Sequence, residues 1–311
     1  MTPPAGTRHK GLFSQDDYLA PPHIPTGQPP KDVLNTIWRK NDVFLDIGDY
    51  SIGSAVMIIW PVLLLFLMVG WHTGDLANFD LIYWGGAISI CGIPTLIVLH
   101  SLTQPVPLPV RFNRQRREVC VPRDDGSHWI VPWEQVTAAA TAVSSVGQHG
   151  KTTQGLLVVG FTNPDSNAKK EDREFSLGFS CGGGTTAMCL WECMRSYMEI
   201  GPDVISDNTH RLNPKRGILA TYINDIVDAA KRKGWFLALL WEGFCGLIVF
   251  NTLLIDLIER KKLAPPPDLT DPAIVEWSKP LPPEQWAKRS PELEQAIAKR
   301  EAELTVEQAA A

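Results

Sequence analysis

Apolar residues gather into three long runs, Ile52–Trp71, Leu81–Leu102 and Trp235–Ile255, and elsewhere they are interleaved with polar ones. Each run is about 20 residues long. That is enough to cross a hydrocarbon core of about 30 Å at about 1.5 Å per residue. The first two carry no Asp, Glu, Lys or Arg, and the third holds one acid, Glu242, nearer its amino end. The pattern predicts a transmembrane helical hairpin over 51–102, with spans at 52–71 and 81–102, and a third transmembrane helix at 235–257. The chain therefore reads as an integral, multi-pass membrane protein.

Basic residues set the expected orientation. The short loop 72–80 (HTGDLANFD) has no Lys or Arg, whereas Arg39 and Lys40 precede the hairpin and Arg111, Arg114, Arg116 and Arg117 follow it. The positive-inside rule then places the loop outside and residues 1–51 and 103–234 in the cytoplasm. For the third run, basic triplets stand on both sides, Lys231–Lys233 and Arg260–Lys262, so charge gives no direction. Its length argues for a crossing, which puts the residues after it outside. Pro61 and Pro94 predict kinks. Gly85, Gly86 and Gly92 permit close helix approach. Trp60, Trp71, Trp84, Trp235 and Trp241 mostly lie near span ends and read as interface anchors. Ser54, Ser89 and Thr95 offer too little polarity for a pore.

The remaining stretches divide by pattern. Residues 1–50 hold prolines at 3, 4, 21, 22, 25, 29 and 30 and read as a disordered or amphipathic tail. No signal peptide is expected, because the first apolar run begins some fifty residues in. Within 103–203, strands are predicted at Val110–Phe112, Glu118–Val121, Trp129–Trp133, Leu156–Phe161 and Glu174–Phe179. Turns fall at Asp124–Ser127 and Gly147–Gly150. A helix follows over 185–200, capped by Thr185 or Thr186, with Leu190, Met194 and Tyr197 on one stripe. Several strands closed by one helix make an α+β plan. The stretch RFNRQRREVCV, then a turn, then WIVPWEQV, resembles the pleckstrin-homology-like domains that bacterial membrane proteins carry after a hairpin. Residues 204–234 read as a linker and an amphipathic helix at about Arg216–Lys233. Residues 258–311 read as a Pro-rich, charged tail ending in a helix over Pro291–Gln308.

Composition removes several classes. The net charge of −5 advertises no nucleic-acid partner. The six cysteines form no C-x-x-C pair and no His stands at zinc-ligand spacing, so neither a metal nor another cofactor is expected. Two motifs invite an enzyme. Ser145–Thr152 ends in the GKT of a phosphate loop, yet Thr153–Phe161 reads as a strand where such a loop must open a helix. Gly178–Phe179–Ser180–Cys181–Gly182 has the G-x-S-x-G form of a nucleophile elbow. Downstream, however, the only histidine is His210, with Asp203 and Asp207 beside it. The plain reading is a glycine-rich strand-to-helix turn, so no catalytic residue is assigned.

Two features point to binding instead. The cluster Arg111, Arg114, Arg116 and Arg117, close to a span end, suits lipid headgroups as well as serving as a topology signal. Glu242 is an acid within an apolar run, where acids are rare, and is a candidate partner contact.

The layout resembles a bacterial inner-membrane family found in type VI secretion effector cassettes. Arg111–Val136 and the glycine-rich turn at 181–184 carry the likeness. It implies a non-catalytic, membrane-anchored protein-binding factor, an immunity or accessory protein for a secreted effector. Membrane lipids and an effector or secretion component would then be its partners. Homo-oligomers are compatible with this plan. A serine hydrolase using Ser180 and an anionic-lipid-sensing regulator are the alternatives.

Overall fold

The computed structural model describes residues 3–11, 13–48, 50, 52–78, 80–147, 150–206 and 217–310. In chain order the strands are β1 (Arg8–Lys10), β2 (Ser14–Ala20), β3 (Ile37–Lys40), β4 (Phe44–Ile47), β5 (Val110–Asn113), β6 (Glu118–Pro122), β7 (His128–Pro132), β8 (Thr137–Gly147), β9 (Gly150–Thr162) and β10 (Glu174–Cys181). The helices are α1 (Ile52–Thr73), α2 (Leu81–Thr103), α3 (Gly184–Glu199), α4 (Ile218–Lys233), α5 (Trp235–Val249), α6 (Thr252–Leu263), α7 (Pro272–Trp277) and α8 (Pro291–Ala310). They fall into two compact units. One comprises Met1–Asp49, Leu108–Thr209 and Asp268–Ala311, the other Tyr50–Pro107 and His210–Pro267.

The first unit is α+β. It holds two five-stranded antiparallel sheets, ordered β1-β2-β8-β9-β10 and β3-β4-β5-β6-β7. Their inward residues meet α3 in one core containing Phe112, Trp133, Leu157, Phe161, Phe179, Leu190, Trp191, Met194 and Tyr197. The alternation read in the sequence accounts for this. Along β10, for example, Phe175, Leu177, Phe179 and Cys181 are more buried than Glu174, Ser176, Gly178 and Ser180.

The expectation of a disordered amino-terminal tail is corrected. Residues 8–20 and 37–47 supply four strands, two to each sheet. Between them Asp32, itself buried, accepts hydrogen bonds from the amides of Leu34, Thr36 and Ile37 and so fixes a turn. The prolines that suggested disorder lie at the joints outside these strands.

The carboxyl-terminal stretch also differs from a free extension. Leu269 and Ile274 pack on Cys120, and Trp277 donates to Glu118 at 2.7 Å. The Gln115 side-chain oxygen and backbone carbonyl accept from the amides of Leu281 and Ala287. Residues 268–290 are thus a strap laid along β5 and β6.

The cap of α3 is also different. Gly183, in extended backbone, precedes the helix, and its carbonyl accepts from the Ala187 amide. The close approach falls on the facing strand β9, where Gly155 runs against this backbone and leaves no room for a side chain. A Cβ on Gly155 would lie 2.3 Å from the Gly183 carbonyl carbon.

In the second unit, α1 and α2 are long and apolar enough to cross a membrane. Tyr83 donates to the Phe66 carbonyl between them. Where Pro94 removes a backbone donor, the α2 ladder widens to π geometry over Ile88–Gly92. The third apolar run is not one straight helix. It is the pair α5 and α6, bent by 68° at Phe250–Asn251, with Asn251 left-handed at φ 50°. The described part of the amphipathic helix begins at Ile218 rather than Arg216, which lies outside the described residues.

Candidate functional site

The hairpin joining β5 and β6 sorts the arginine cluster into two pairs. Asn113 Oδ1 accepts from the amides of Gln115 and Arg116, both at 3.1 Å, and Arg117 turns the chain at φ 52°. Arg111 and Arg117 consequently point inward and are buried, while Arg114 and Arg116 stay half-buried.

Arg111 Nε and Nη2 donate to both oxygens of buried Asp46 at 2.6 and 2.8 Å. Nη2 also reaches Asp268 at 2.7 Å, and the guanidinium stands 3.7 Å over the Phe44 ring. Arg116 donates to the Trp277 carbonyl at 2.9 Å, and Arg114 to the Ile200 carbonyl at 3.2 Å. The sequence offers these four positively charged side chains, near the end of an apolar run, as a headgroup site or as a topology signal. In the fold Arg111 and Arg117 brace the unit from within and have no exposed face for a phosphate, whereas Arg114 and Arg116 keep part of their surface open.

Arg117 anchors the most developed polar cluster. It donates to Glu199 at 2.9 and 3.2 Å and to Glu134 at 3.1 Å. Glu199 also accepts from Trp133 Nε1 at 2.7 Å and from Arg289 Nε at 2.6 Å, and the Arg289 guanidinium bonds its backbone carbonyl. Burial alone would raise the Glu199 carboxyl. The bonds and charges of Arg117, Trp133 and Arg289 outweigh it and hold the group below the usual carboxylate range. Glu134 follows the same logic, with the Ser290 amide, 3.0 Å away, and Arg117 overcoming its burial.

Beside this cluster lies a cleft of about 370 Å³ lined by Pro21, Pro22, His23, Glu134, Ser290, Glu292 and Leu293. His23 is fully buried, with its ring 4.1 Å from Trp133 and 5.7 Å from Trp191 between centroids. Neither ring nitrogen has a hydrogen-bond partner among the described residues. Burial, then the nearby Arg117 charge, lowers its pKa from 6.5 to about 3, so the ring is neutral at pH 7. The cleft thus combines a neutral imidazole with two carboxylates. Among the described residues no group of three His, Cys, Asp or Glu side chains could hold a metal ion.

The remaining predicted residues lie apart from this cluster. Ser180 occupies an exposed position within β10, opposite Leu156 of β9 in antiparallel register. A nucleophile elbow would instead set its serine on a sharp turn between a strand and a helix. Asp207 and His210, invoked as its partners, lie outside the described residues. The phosphate-loop resemblance falls on the β8–β9 hairpin, of which Gln148 and His149 are outside the described residues. Strand β9 runs through Lys151 and Thr152, with no helix after them. Glu242 is half-buried in α5 and is ion-paired with Lys233.

Sequence reasoning missed His23, Glu199 and Arg289. Only pairing across the whole chain reveals them, and no local motif surrounds any of the three. No family model, no curated protein and no solved structure matches this chain.

Proposed function

We propose that the chain is a non-catalytic, membrane-anchored binding protein. Its α+β unit captures an extended segment of a protein partner, and α1 and α2 hold it in a bacterial inner membrane. The observation that supports this most directly is the open edge of β10. It is the last strand of its sheet, and among the described residues no strand pairs with its outer side. A free edge is a template for an added strand, with main-chain bonds giving affinity and alternate side chains giving selectivity.

Two further features agree with a scaffold. The order β5–β7, β8–β10 and closing helix α3 supports a pleckstrin-homology-like framework. The arginines of the 111–117 cluster are occupied in holding that framework together. By the resemblance noted from Arg111–Val136, the first partners to test are a secreted effector and a component of its secretion machinery.

Proline substitutions test the edge. The amides of Leu177 and Gly178 point to opposite sides of β10, so one of L177P and G178P deletes a ladder donor and the other an outward donor. Both are tested for folding by thermal melting and for capture by pull-down from a membrane extract, with the protein encoded next to this chain as bait. The outward variant should melt like the parent and capture at least tenfold less. Full capture by that well-folded variant would reject the edge as the binding surface.

A further inference from the structure

We infer that the third apolar segment, Trp235–Leu263, does not cross the membrane. It dips into one leaflet and returns to the face it left, forming a lipid-embedded wedge beside the hairpin.

The first argument is connectivity. Asp46, Arg111 and Asp268 come from the three separate stretches of the α+β unit and form one ion-paired group, with Asp46 and Arg111 buried. Glu199 and Arg289 tie the second stretch to the third again. Stretches joined by buried ion pairs lie on one side of a bilayer. The chain leaves that side after the first stretch and returns through the hairpin α1–α2. After the second stretch it leaves and returns once more, so α4, α5 and α6 together make an even number of crossings.

Two crossings are excluded by composition. Helix α4 carries Asp225, Asp228 and Lys231–Lys233, and α6 carries Asp256, Glu259 and Arg260–Lys262. Such charge cannot be buried in hydrocarbon at a cost of about 2.5–3.5 kcal/mol per central residue. Only α5 is apolar, and from Trp235 to Val249, with Leu239–Val249 in the shorter-rising π geometry, it reaches at most about 22 Å at the α-helical rise of about 1.5 Å per residue, short of the roughly 30 Å core.

The second argument is depth. Trp60 Nε1 donates to the Ile248 carbonyl at 2.9 Å, near the far end of α5. Trp60 lies eight positions after Ile52, where α1 begins, which is about 12 Å along the helix and less than half of the core. The chain then turns at Asn251 and α6 runs back toward the start of α1. The Cβ position of Gly53 is only 2.8 Å from Ile255 and 3.0 Å from Glu259. Lys262 donates to the carbonyl of Gln104, the residue that caps the other end of the hairpin.

The exposed surface fits lipid. Trp235, Phe236, Leu237, Leu239, Leu240, Trp241 and Phe244 are each more than two-fifths exposed, an apolar patch that soluble proteins rarely present. The basic triplets on both flanks, ambiguous for a crossing segment, now carry one message: both ends stay on the positive side.

The test uses the full chain in sealed native membrane vesicles, with the unsubstituted protein as the labelling background. Ser166→Cys, Val306→Cys and Ala77→Cys sit at exposed positions of the 163–173 loop, the tail and the hairpin loop. A membrane-impermeant maleimide should label Ser166→Cys and Val306→Cys from the same side and Ala77→Cys from the other. Labelling of Val306→Cys from the side of Ala77→Cys would overturn the inference. A nitroxide on Ile248→Cys, in reconstituted vesicles, should report a depth short of the bilayer centre, and a reading at or beyond the centre would also overturn it. The inference rests on the membrane-anchored reading, and the two fail differently. Release of the chain by alkaline carbonate would reject both, whereas a reversed label on an integral protein rejects the wedge alone.

Discussion

Arg117 grips both carboxylate oxygens of Glu199 across 82 positions of sequence, at 2.9 and 3.2 Å, and both residues are buried. The pair also collects Trp133 and Arg289, so four hydrogen-bonding groups depend on one carboxylate. Removing one partner of a buried pair strands the other charge and costs about 3–5 kcal/mol. Glu199→Ala should lower stability by that order in urea unfolding followed by tryptophan fluorescence. The double variant Arg117→Met with Glu199→Leu should recover at least half of the loss. A loss under about 1 kcal/mol for the single variant, the level of exposed pairs, would show that the cluster is solvated.

His23 gives the unit a pH dependence of defined sign. Its folded pKa of about 3 lies below the ordinary 6.5, with Arg117, Arg195 and Glu134 the charges acting on it. The unfolded chain therefore binds a proton at pH values where the folded chain does not. The stabilisation is fully present above pH 6.5 and is lost as pH falls from 6.5 toward 3, at no more than about 1.4 kcal/mol per pH unit. Melting between pH 7 and 5.5, above the ordinary carboxylate range, should fall more steeply for the parent than for His23→Phe. Parallel curves would place the proton elsewhere.

Two glycines where strand β9 meets the turn into α3, Gly155 in the strand and Gly182 in the turn, should respond in opposite ways. A methyl at Gly155 meets backbone atoms of Gly183 at 2.3 Å, whereas nothing lies within 4 Å of a methyl at Gly182. Backbone cannot rotate aside as a side chain can, so Gly155→Ala should cost about 1–3 kcal/mol. Gly182→Ala should stay within about 0.5 kcal/mol of the parent. Thermal melts of the two proteins, measured side by side, check the contrast.

The sequence revealed whatever was periodic and local. Strands β5, β6, β7 and β10 fall within a residue or two of their expected ends, because alternation and turn residues such as Gly126, at φ 83°, mark them directly. The long apolar helices α1 and α2 were equally plain from length and absence of charge. Strands β1, β3 and β4 were hidden because each is only three or four residues long, and the two hairpins β1–β2 and β3–β4 join the sheets only through partners more than a hundred residues from β2, in β8, and more than sixty from β4, in β5. The arginines were legible as a cluster but not by role, since whether a guanidinium meets a lipid or a buried aspartate depends on which face of the hairpin it occupies. His23 and Glu199 carried no signal at all, being single residues whose environment is built from four distant stretches.

Arg111 holds one aspartate deep in the unit and another at its surface, and these should differ sharply in worth. Asp46 is fully buried and Asp268 is half exposed. Burial raises the Asp268 carboxyl, but Arg111 and Arg39 outweigh this and hold it below the usual range. Water still screens the pair, so Asp268→Asn should cost no more than about 1 kcal/mol. Asp46→Asn leaves Arg111 without its main counter-charge in a dry site and should cost about 3–5 kcal/mol. The location of the loss separates them further. Asp268→Asn should speed hydrogen exchange in the strap around Leu269–Trp277 alone, because that strap is held by local contacts to β5 and β6. Asp46→Asn should raise exchange across β3, β4 and β5, whose register it links. Equal and global effects from both would mean that the carboxyl-terminal stretch is integral to the folding of the sheet and not a strap added to it.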